Sequence, residues 1–475
     1  MRGGAVVARR LLNRKAVRSE LSPVPKDSGL QSIPGDKGLP IFGHALTAVA
    51  LGIEFFESRL ETYGEISWIR GLAMPFVLAL GPEAAQEVLT NNDHVFSQQG
   101  QELFLGRFFT RGLMLLDFEE HHFHRRIMQE AFTRDRLGGY LTAMDAIGRT
   151  AAGFLASSDE LLVFPYLKRT LLDIATVVFM GDEPGPQSNL LNKAFTDCLR
   201  ASAAAVRFPV PGLRWSAGLR GRRALEEHFR TNIDARRNSG SDDLFTTLCR
   251  VRDEDGNQFT DEDVVNHMIF LMSAATDTSA AAATAVLHQL ALHPEWQDRV
   301  RAESSAEIGD GQLSLDALDR MKSLGMVISE SMRLFAPVPT IFRKTLVDAS
   351  IQGHFVPAHT IVVIAPAINH YWPGLWTDPH TFDPGRFSDS RREDKSHRLA
   401  FMPFGAGAHK CIGMHFASMV VKVVIHHLLR DYRIEMRSGY TLEWDMTALP
   451  APTDGFPVLV RRVDDSDQTN ITALP

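Results

Sequence analysis

Four short segments of this chain hold residue types that could do chemistry. The first ends on a cysteine and a glycine: Phe404-Gly405-Ala406-Gly407-Ala408-His409-Lys410-Cys411-Ile412-Gly413. Glycine at 407 permits a tight bend that presents a sulfur, and a helix opening at Ile412 would aim its N-terminal dipole at that sulfur and favour a thiolate. Taken alone, the run also fits a glycine-rich turn with a chance cysteine. The second segment, Ala274-Ala275-Thr276-Asp277-Thr278-Ser279, pairs an acid with an alcohol, although an Asp-Thr pair in a helix is ordinarily a solvated face. In the third, Glu330 and Arg333 share a helical face, where such pairs usually decorate a surface. The fourth, Asp117 to Arg126, is rich in histidine. Only His121 and His124 of that run share a face, and no carboxylate-rich metal site accompanies them.

These segments need elements to position them. Thr260 and Asp263 have capping-box spacing, and His293-Pro294 stops the helix that would carry Asp277 and Thr278. Its middle is crowded with Ala, Ser and Thr, as in a tight helix contact or beside something flat and large. A second helix spans about Leu324 to Phe335, ended by Pro337 and Pro339, and holds Glu330 and Arg333. Glu65–Arg70 and Pro75–Leu80 alternate as paired strands with Gly71 near their turn, and Gly81-Pro82-Glu83 opens a helix. Strands are expected at Ile341–Val347 and Thr360–Ile364, linked by a turn near Gly353. The pattern is mainly helical α+β: a basic N-terminal arm over 1–33, one domain over 34–463, and a flexible tail over 464–475.

Composition narrows the function further. The net charge of −7 argues against nucleic acid as a general partner. Three cysteines, Cys198, Cys249 and Cys411, make no disulfide framework and fit a reducing compartment. The apolar stretch Ile41–Ile53 is too short to span a bilayer, and the basic start lacks a signal peptide's apolar region. The chain is expected to be cytoplasmic and without a membrane span; its arm reads as solvated, with weak peripheral membrane contact as the alternative.

The four segments in this order resemble the cytochrome P450 family, and the likeness runs from about Pro34 to Arg462. His293-Pro294-Glu295-Trp296, Phe382-Asp383-Pro384-Gly385-Arg386-Phe387 and Gly455–Val460 add spacing to it. The resemblance implies a P450-type helical domain with small sheets, and haem b ligated by Cys411, whose thiolate would favour O–O cleavage. Phe404 and Gly413 would shape the loop, with Gly413 leaving room for the porphyrin. Ala274 would line the distal side, where a local distortion of the helix forms an oxygen groove, and Ala275 stands where glycine is more usual. Thr278 would hydrogen-bond dioxygen, with Asp277 helping to bring protons from solvent. His121, Arg125, Arg343 and His409 would meet the haem propionates, His409 standing where arginine is common. Glu330, Arg333 and Arg386 would form a buried structural ion cluster.

By the same resemblance Phe104, Phe108, Phe109, Met272 and Ile341 would line a hydrophobic substrate pocket, which suits a terpenoid, steroid or fatty-acid-like molecule. Electrons would come from a separate ferredoxin or flavodoxin with its reductase. Arg391, Arg392, Lys395, Arg398, Lys410 and Lys422 could steer that carrier or be plain solvated surface. The rivals are a peroxide-driven or rearranging haem-thiolate enzyme, against which Asp277 and Thr278 count, and a non-catalytic haem sensor, for which no signalling domain is visible.

Overall fold

The protein is described by a computed structural model covering residue 8 and residues 17–71, 74–157, 159–204, 206–252, 255–309, 311–447 and 449–463. The expected tail over 464–475 and most of the arm lie outside those residues. Helices dominate. Those that build the site are α1 (Ala45–Leu51), α2 (Ile53–Tyr63), α3 (Phe118–Gln129), α4 (Val163–Ala175), α5 (Pro186–Ser202), α6 (Arg214–Arg237), α7 (Asp261–Leu292), α8 (Lys322–Leu334) and α9 (Met414–Asp431).

The 32-residue α7 runs through the middle of the main apolar cluster, against α4, α6, α8 and α9. Its start is the anticipated capping box: Thr260 Oγ1 accepts from the Asp263 N–H at 3.1 Å, and the Thr260 N–H donates to Asp263 Oδ2 at 3.3 Å. Length and apolarity would let α7 cross a membrane, as would the segment Gly407–Asp431, but both are mostly buried inside the protein. They are core helices.

Beside the helices lies a seven-stranded sheet in the spatial order Ser19–Glu20, Pro34–Asp36, Ile66–Gly71, Met74–Ala79, Ile361–Ile364, Ile341–Thr345, Phe96–Ser97. The expected pair Ile66–Gly71 and Met74–Ala79 is antiparallel, with Trp68 opposite Val77. The two later strands also pair with each other, Val362 opposite Arg343, and a separate hairpin turning at Gln352-Gly353 lies between them in sequence. Arg343 and Thr345 are the buried residues of their strand, whose Phe342 and Lys344 are half-buried, and the pairing sets Arg343 beside the fully buried strand Ile361–Ile364.

One structural centre was not apparent from sequence. Buried Asp36 accepts from His44 Nε2 at 2.6 Å, Arg59 Nη1 at 2.5 Å, the Tyr63 hydroxyl at 2.9 Å and the Gly38 N–H at 2.9 Å. These donors hold its carboxyl far below the usual carboxylate range despite burial. The cluster clamps α1 and α2 to the sheet.

Candidate active site

The cysteine loop is built as its glycines require. Gly407 has φ +68°, and a Cβ there would lie 2.0 Å from the Leu89 carbonyl oxygen, so no other residue fits. The Cys411 N–H donates to the Phe404 carbonyl at 2.9 Å, which closes the loop on itself. Gly413 caps α9, which begins at Met414, two residues later than expected. A Cβ at Gly413 would meet nothing nearer than Phe132 Cε1 at 3.9 Å. Protein packing therefore does not demand this glycine; space beside it does.

The Cys411 side chain is exposed, yet burial of its surroundings pushes the thiol up. Both hold if the sulfur borders an interior space rather than bulk water. The Gly413 N–H, Arg125 and Lys410 act in the opposite direction and favour thiolate.

Four nitrogen-bearing side chains gather on one side of that loop. His121 and His409 lie with ring centroids 3.8 Å apart. Among the described residues, neither nitrogen of His121, nor Nδ1 of His409, has a hydrogen-bond partner. Arg343 is 6% exposed and, among the described residues, donates only to the Phe342 carbonyl, at 2.9 Å. Arg125 is half-buried, and no carboxylate pairs with it or with Arg343 among the described residues. Burial is the main cause of each shift: His121 falls to about 4, His409 to about 2 and Arg343 to about 10, with the neighbouring cations lowering both histidines further. A buried cation without a counter-ion is costly. The cluster is therefore complementary to a dianion, as two carboxylates of one porphyrin would be. Asp117, at the head of α3, accepts from the Gln98 N–H at 2.8 Å and from Ser97 Oγ, which fixes how α3 aims His121 and Arg125.

Among the described residues no three His, Cys, Asp or Glu side chains gather as a metal-binding group. His124 instead meets His267 of α7, Nδ1 to Nε2 at 2.7 Å.

On α7, Phe270, Ala274 and Thr278 fall at four-residue spacing, and these three with Ala275 are the partly accessible residues between Asp263 and Leu287. That stripe faces interior space. The expected distortion is not a break, since α7 is α-helical from Asp261 to Leu292. The Thr278 hydroxyl donates to the Ala274 carbonyl at 2.6 Å, a bond that loosens rather than interrupts a helix. Asp277 points about 100° away. Its Oδ1 pairs with Lys168 Nζ of α4 at 2.6 Å, and the lysine side chain is 23% exposed. Lys168 thus connects solvent to the acid. Nothing in its own segment marks it: its neighbour Arg169 is largely exposed and sits 3.9 Å from Asp173.

Glu330, Arg333 and Arg386 meet in one buried cluster. Glu330 takes Arg333 in two bonds of 2.7 and 2.8 Å, and Arg386 Nε at 3.2 Å. Of the pocket residues, Phe108, Phe109 and Met272 belong to the packed core, Phe108 edge-on to Trp215 at 4.9 Å. Phe104 and Ile341 are half-buried; Phe104 packs against Phe342, and the Ile341 terminal methyl lies 3.9 Å from where a Gly405 Cβ would be. The basic cluster is smaller than its sequence suggests. Arg391 pairs with Asp383 and Glu393, Lys395 with Asp394, and the Lys422 amine bonds the Leu318 carbonyl. Arg392, Arg398 and Lys410 remain exposed without an acidic partner among the described residues. Two clefts, about 320 Å³ beside His426 and Arg430 and about 310 Å³ beside Asp182 and Asp243, lie on other faces and include none of these groups.

The family model described as Cytochrome P450 matches residues 33–210 and 221–452. The Putative cytochrome P450 136 of Mycobacterium tuberculosis is 47% identical over 465 residues, covering 97% of this chain and 94% of that protein. The Cyclooctat-9-en-7-ol 5-monooxygenase of Streptomyces melanosporofaciens is 28% identical over 85% of this chain and 90% of its own. Taxane 10-beta-hydroxylase of Taxus cuspidata is 27% identical over 85% and 84%. The solved structure of retinoic acid bound cyanobacterial CYP120A1 superposes with a TM-score of 0.81 at 26% identity, covering 91% of this chain and all of that one.

Proposed function

The chain belongs to the cytochrome P450 family, and from that premise we propose that it inserts one oxygen atom of O2 into a terpenoid, steroid or fatty-acid-like molecule, with haem b as cofactor. It is a haem-iron oxidoreductase of the monooxygenase class. The observation that carries the finer reading is the carboxylate-free cluster of His121, Arg125, Arg343 and His409 beside Cys411. Bound there, the haem iron supplies dioxygen activation and accepts electrons.

The chain's own residues do the rest. Cys411 holds the iron, and the Gly413 N–H stabilises charge on its sulfur. The four nitrogen-bearing side chains bind and orient the propionates. Ala274 and Ala275 keep the distal face of α7 small. Thr278 holds a hydroxyl toward interior space, and Asp277 with Lys168 forms the relay to solvent. The Phe270 ring, Ile341 and Phe104 offer apolar surface to substrate. The related proteins named for a taxane and for cyclooctat-9-en-7-ol, and the retinoic acid bound neighbour, support a hydrophobic substrate. Exposed Arg392, Arg398 and Lys410 form the site for an acidic ferredoxin or flavodoxin in the cytoplasm.

The test is the reduced carbon monoxide spectrum. The wild-type protein is expected to give the red-shifted Soret band of a thiolate complex, and Cys411→Ser to lose it while keeping its helical circular dichroism. A thiolate spectrum that survives the substitution refutes the ligand assignment. For the relay, Thr278→Ala with a surrogate ferredoxin system should cut product formation by about 10²-fold, the low end of what a positioned acid contributes. Reducing equivalents should then appear as hydrogen peroxide. Lys168→Met should move the same ratio in the same direction; an unchanged peroxide-to-product ratio in both would assign proton delivery to other groups.

A further inference from the structure

His124 of α3 and His267 of α7 meet deep inside the protein. Nδ1 of the first and Nε2 of the second stand 2.7 Å apart, with the two rings edge to face at 71°. The residues are 3% and 0% exposed, and Phe259 packs on both rings, with centroids 5.2 and 4.9 Å away. Among the described residues His267 Nδ1 has no partner, so this single bond is the polar contact of that ring. Burial is the first cause that lowers both pKa values, His267 to about 3.

The charged groups facing the pair come from three segments: Arg111 before α3, Glu120 and His121 on α3, and Asp263 on α7. Arg111 Nη2 meets Asp263 Oδ1 at 2.9 Å and Glu120 Oε1 at 2.8 Å, and Thr260 Oγ1 donates to Asp263 Oδ2 at 2.6 Å. Both acids are thus held by Arg111, and among the described residues neither bonds an imidazole.

A bond between two imidazoles needs one N–H and one lone pair, so at least one ring must stay neutral. Two apolar side chains could fill the same space without burying any nitrogen. A directional bond does something they cannot: if either helix slips or turns, two buried nitrogens lose their partner. His124 follows His121 by three residues and precedes Arg125 by one. His267 shares its face of α7 with Ala274 and Thr278, seven and eleven residues on, at about 100° per residue. The bond therefore joins the helix that carries two of the four nitrogen-bearing side chains beside Cys411 to the helix whose stripe faces the interior space. Turning α3 by ~20° would carry a side-chain tip ~5 Å from its axis through about 2 Å. A working site tolerates only about 0.5 Å.

We propose that His124 and His267 are positioning residues for the cofactor: their bond locks α3 against α7 and keeps His121 and Arg125 aimed at the haem propionates. They act through α3, not by contact with the porphyrin. The proposal rests on the assignment of the cluster beside Cys411 to the propionates.

The experiment is transfer of haem from the full-length holoprotein to excess apomyoglobin, followed in the Soret band from pH 7.5 to 5.5, with the reduction potential measured at pH 7.5. His124→Leu should quicken haem release about tenfold. It should also lower the potential, since propionates that lose neighbouring cations oppose reduction of the iron. His124→Asn with His267→Gln sets an amide near each bonding nitrogen, and should restore both release and potential at pH 7.5. An untied histidine has the ordinary 6.5 and the tied one lies below it, so acid favours the untied form. Through one such histidine, wild-type release should quicken about tenfold from pH 7.5 to 5.5. The amide pair should lack that part of the acceleration, while the remaining histidines act alike in both proteins. Arg125→Leu separates the two levels of the argument. If it leaves haem release unchanged, the propionate assignment fails and the proposal with it. If it quickens release while His124→Leu does not, the proposal alone is overturned. An amide pair that releases haem as fast as His124→Leu, or that keeps the full wild-type pH profile, overturns it as well.

Discussion

Glu330→Ala is expected to yield protein that no longer folds stably enough to hold haem. Its carboxylate is wholly buried and accepts four bonds: two from Arg333, one from Arg386 Nε, and one from the Asp383 N–H at 2.9 Å. Arg333 and Arg386 are themselves 0% and 1% exposed. Their other donors reach carbonyls of His370, Pro379, Thr381 and Asp378, and Glu393 meets Arg386 at 3.1 Å. Removing Glu330 leaves both guanidiniums buried with most of their charge unbalanced, and breaking a buried pair this way costs about 3–5 kcal/mol. Typical domains have about 5–15 kcal/mol in all. The segment released, from His370 to Arg386, leads directly into the cysteine loop, so lost stability becomes lost cofactor. The measurement is urea unfolding with the Soret band and circular dichroism followed together. Glu330→Gln, which keeps acceptor atoms but no charge, should fall between wild type and alanine. A midpoint for Glu330→Ala equal to wild type would mean the cluster contributes nothing to the fold.

Acid should destabilise the protein just below neutrality, well before its carboxylates titrate. Among the buried histidines whose burial favours the neutral form, three lie outside the cluster beside Cys411 and are shifted furthest. Burial is the first cause in each, moving His267, His370 and His426 from an ordinary 6.5 to about 3. Geometry explains why protonation is resisted. His370 Nε2 accepts from the Met402 N–H at 3.1 Å while Nδ1–H donates to the Arg333 carbonyl at 3.1 Å, so a second proton would remove the acceptor. His267 shares one hydrogen bond with His124 and lies near Arg111 and Asp263; His426 bonds Ser304 beside His427, Arg430, Asp145 and Asp431.

Because the folded pKa values lie below the unfolded one, the unfolded chain binds more protons between pH 6.5 and about 3. Stability is full above that window and falls as pH drops into it. Between pH 6.5 and 5.5 each histidine should cost about 1 kcal/mol, about 3 kcal/mol together. Glu57 and Glu65, raised by burial, oppose this at lower pH, where they begin to titrate. Urea midpoints at pH 7.5, 6.5 and 5.5 test it, and a midpoint that stays level or rises toward pH 5.5 would contradict the neutral-histidine account.

Much of the site was legible because it is local. Gly407 and Cys411 sit in one loop whose bend depends on neighbouring backbone angles. Glu330 and Arg333 meet across one helical turn, and Thr260 with Asp263 caps α7 from three residues away. Such relations are carried by spacing along the chain, and spacing is what a sequence displays. Even Arg386, 56 residues from Glu330, was reached only through resemblance.

Tertiary packing decided the rest, since partners far apart in sequence leave no periodic trace. It brought Lys168 to Asp277, which gives the acid a route to solvent, and it chose that lysine over the adjacent Arg169. Packing put Phe108, Phe109 and Met272 into the core while leaving Phe104 and Ile341 half-buried, although all five are equally apolar as letters. It paired Arg391 and Lys395 with acids and bonded Lys422 to a carbonyl within an apparent basic patch, and left Arg392, Arg398 and Lys410 exposed without an acidic partner among the described residues. Charge type and apolarity are properties of residues, and the sequence alone determines them. Whether a charge is paired, and which way an apolar side chain faces, depends on what the fold sets against it.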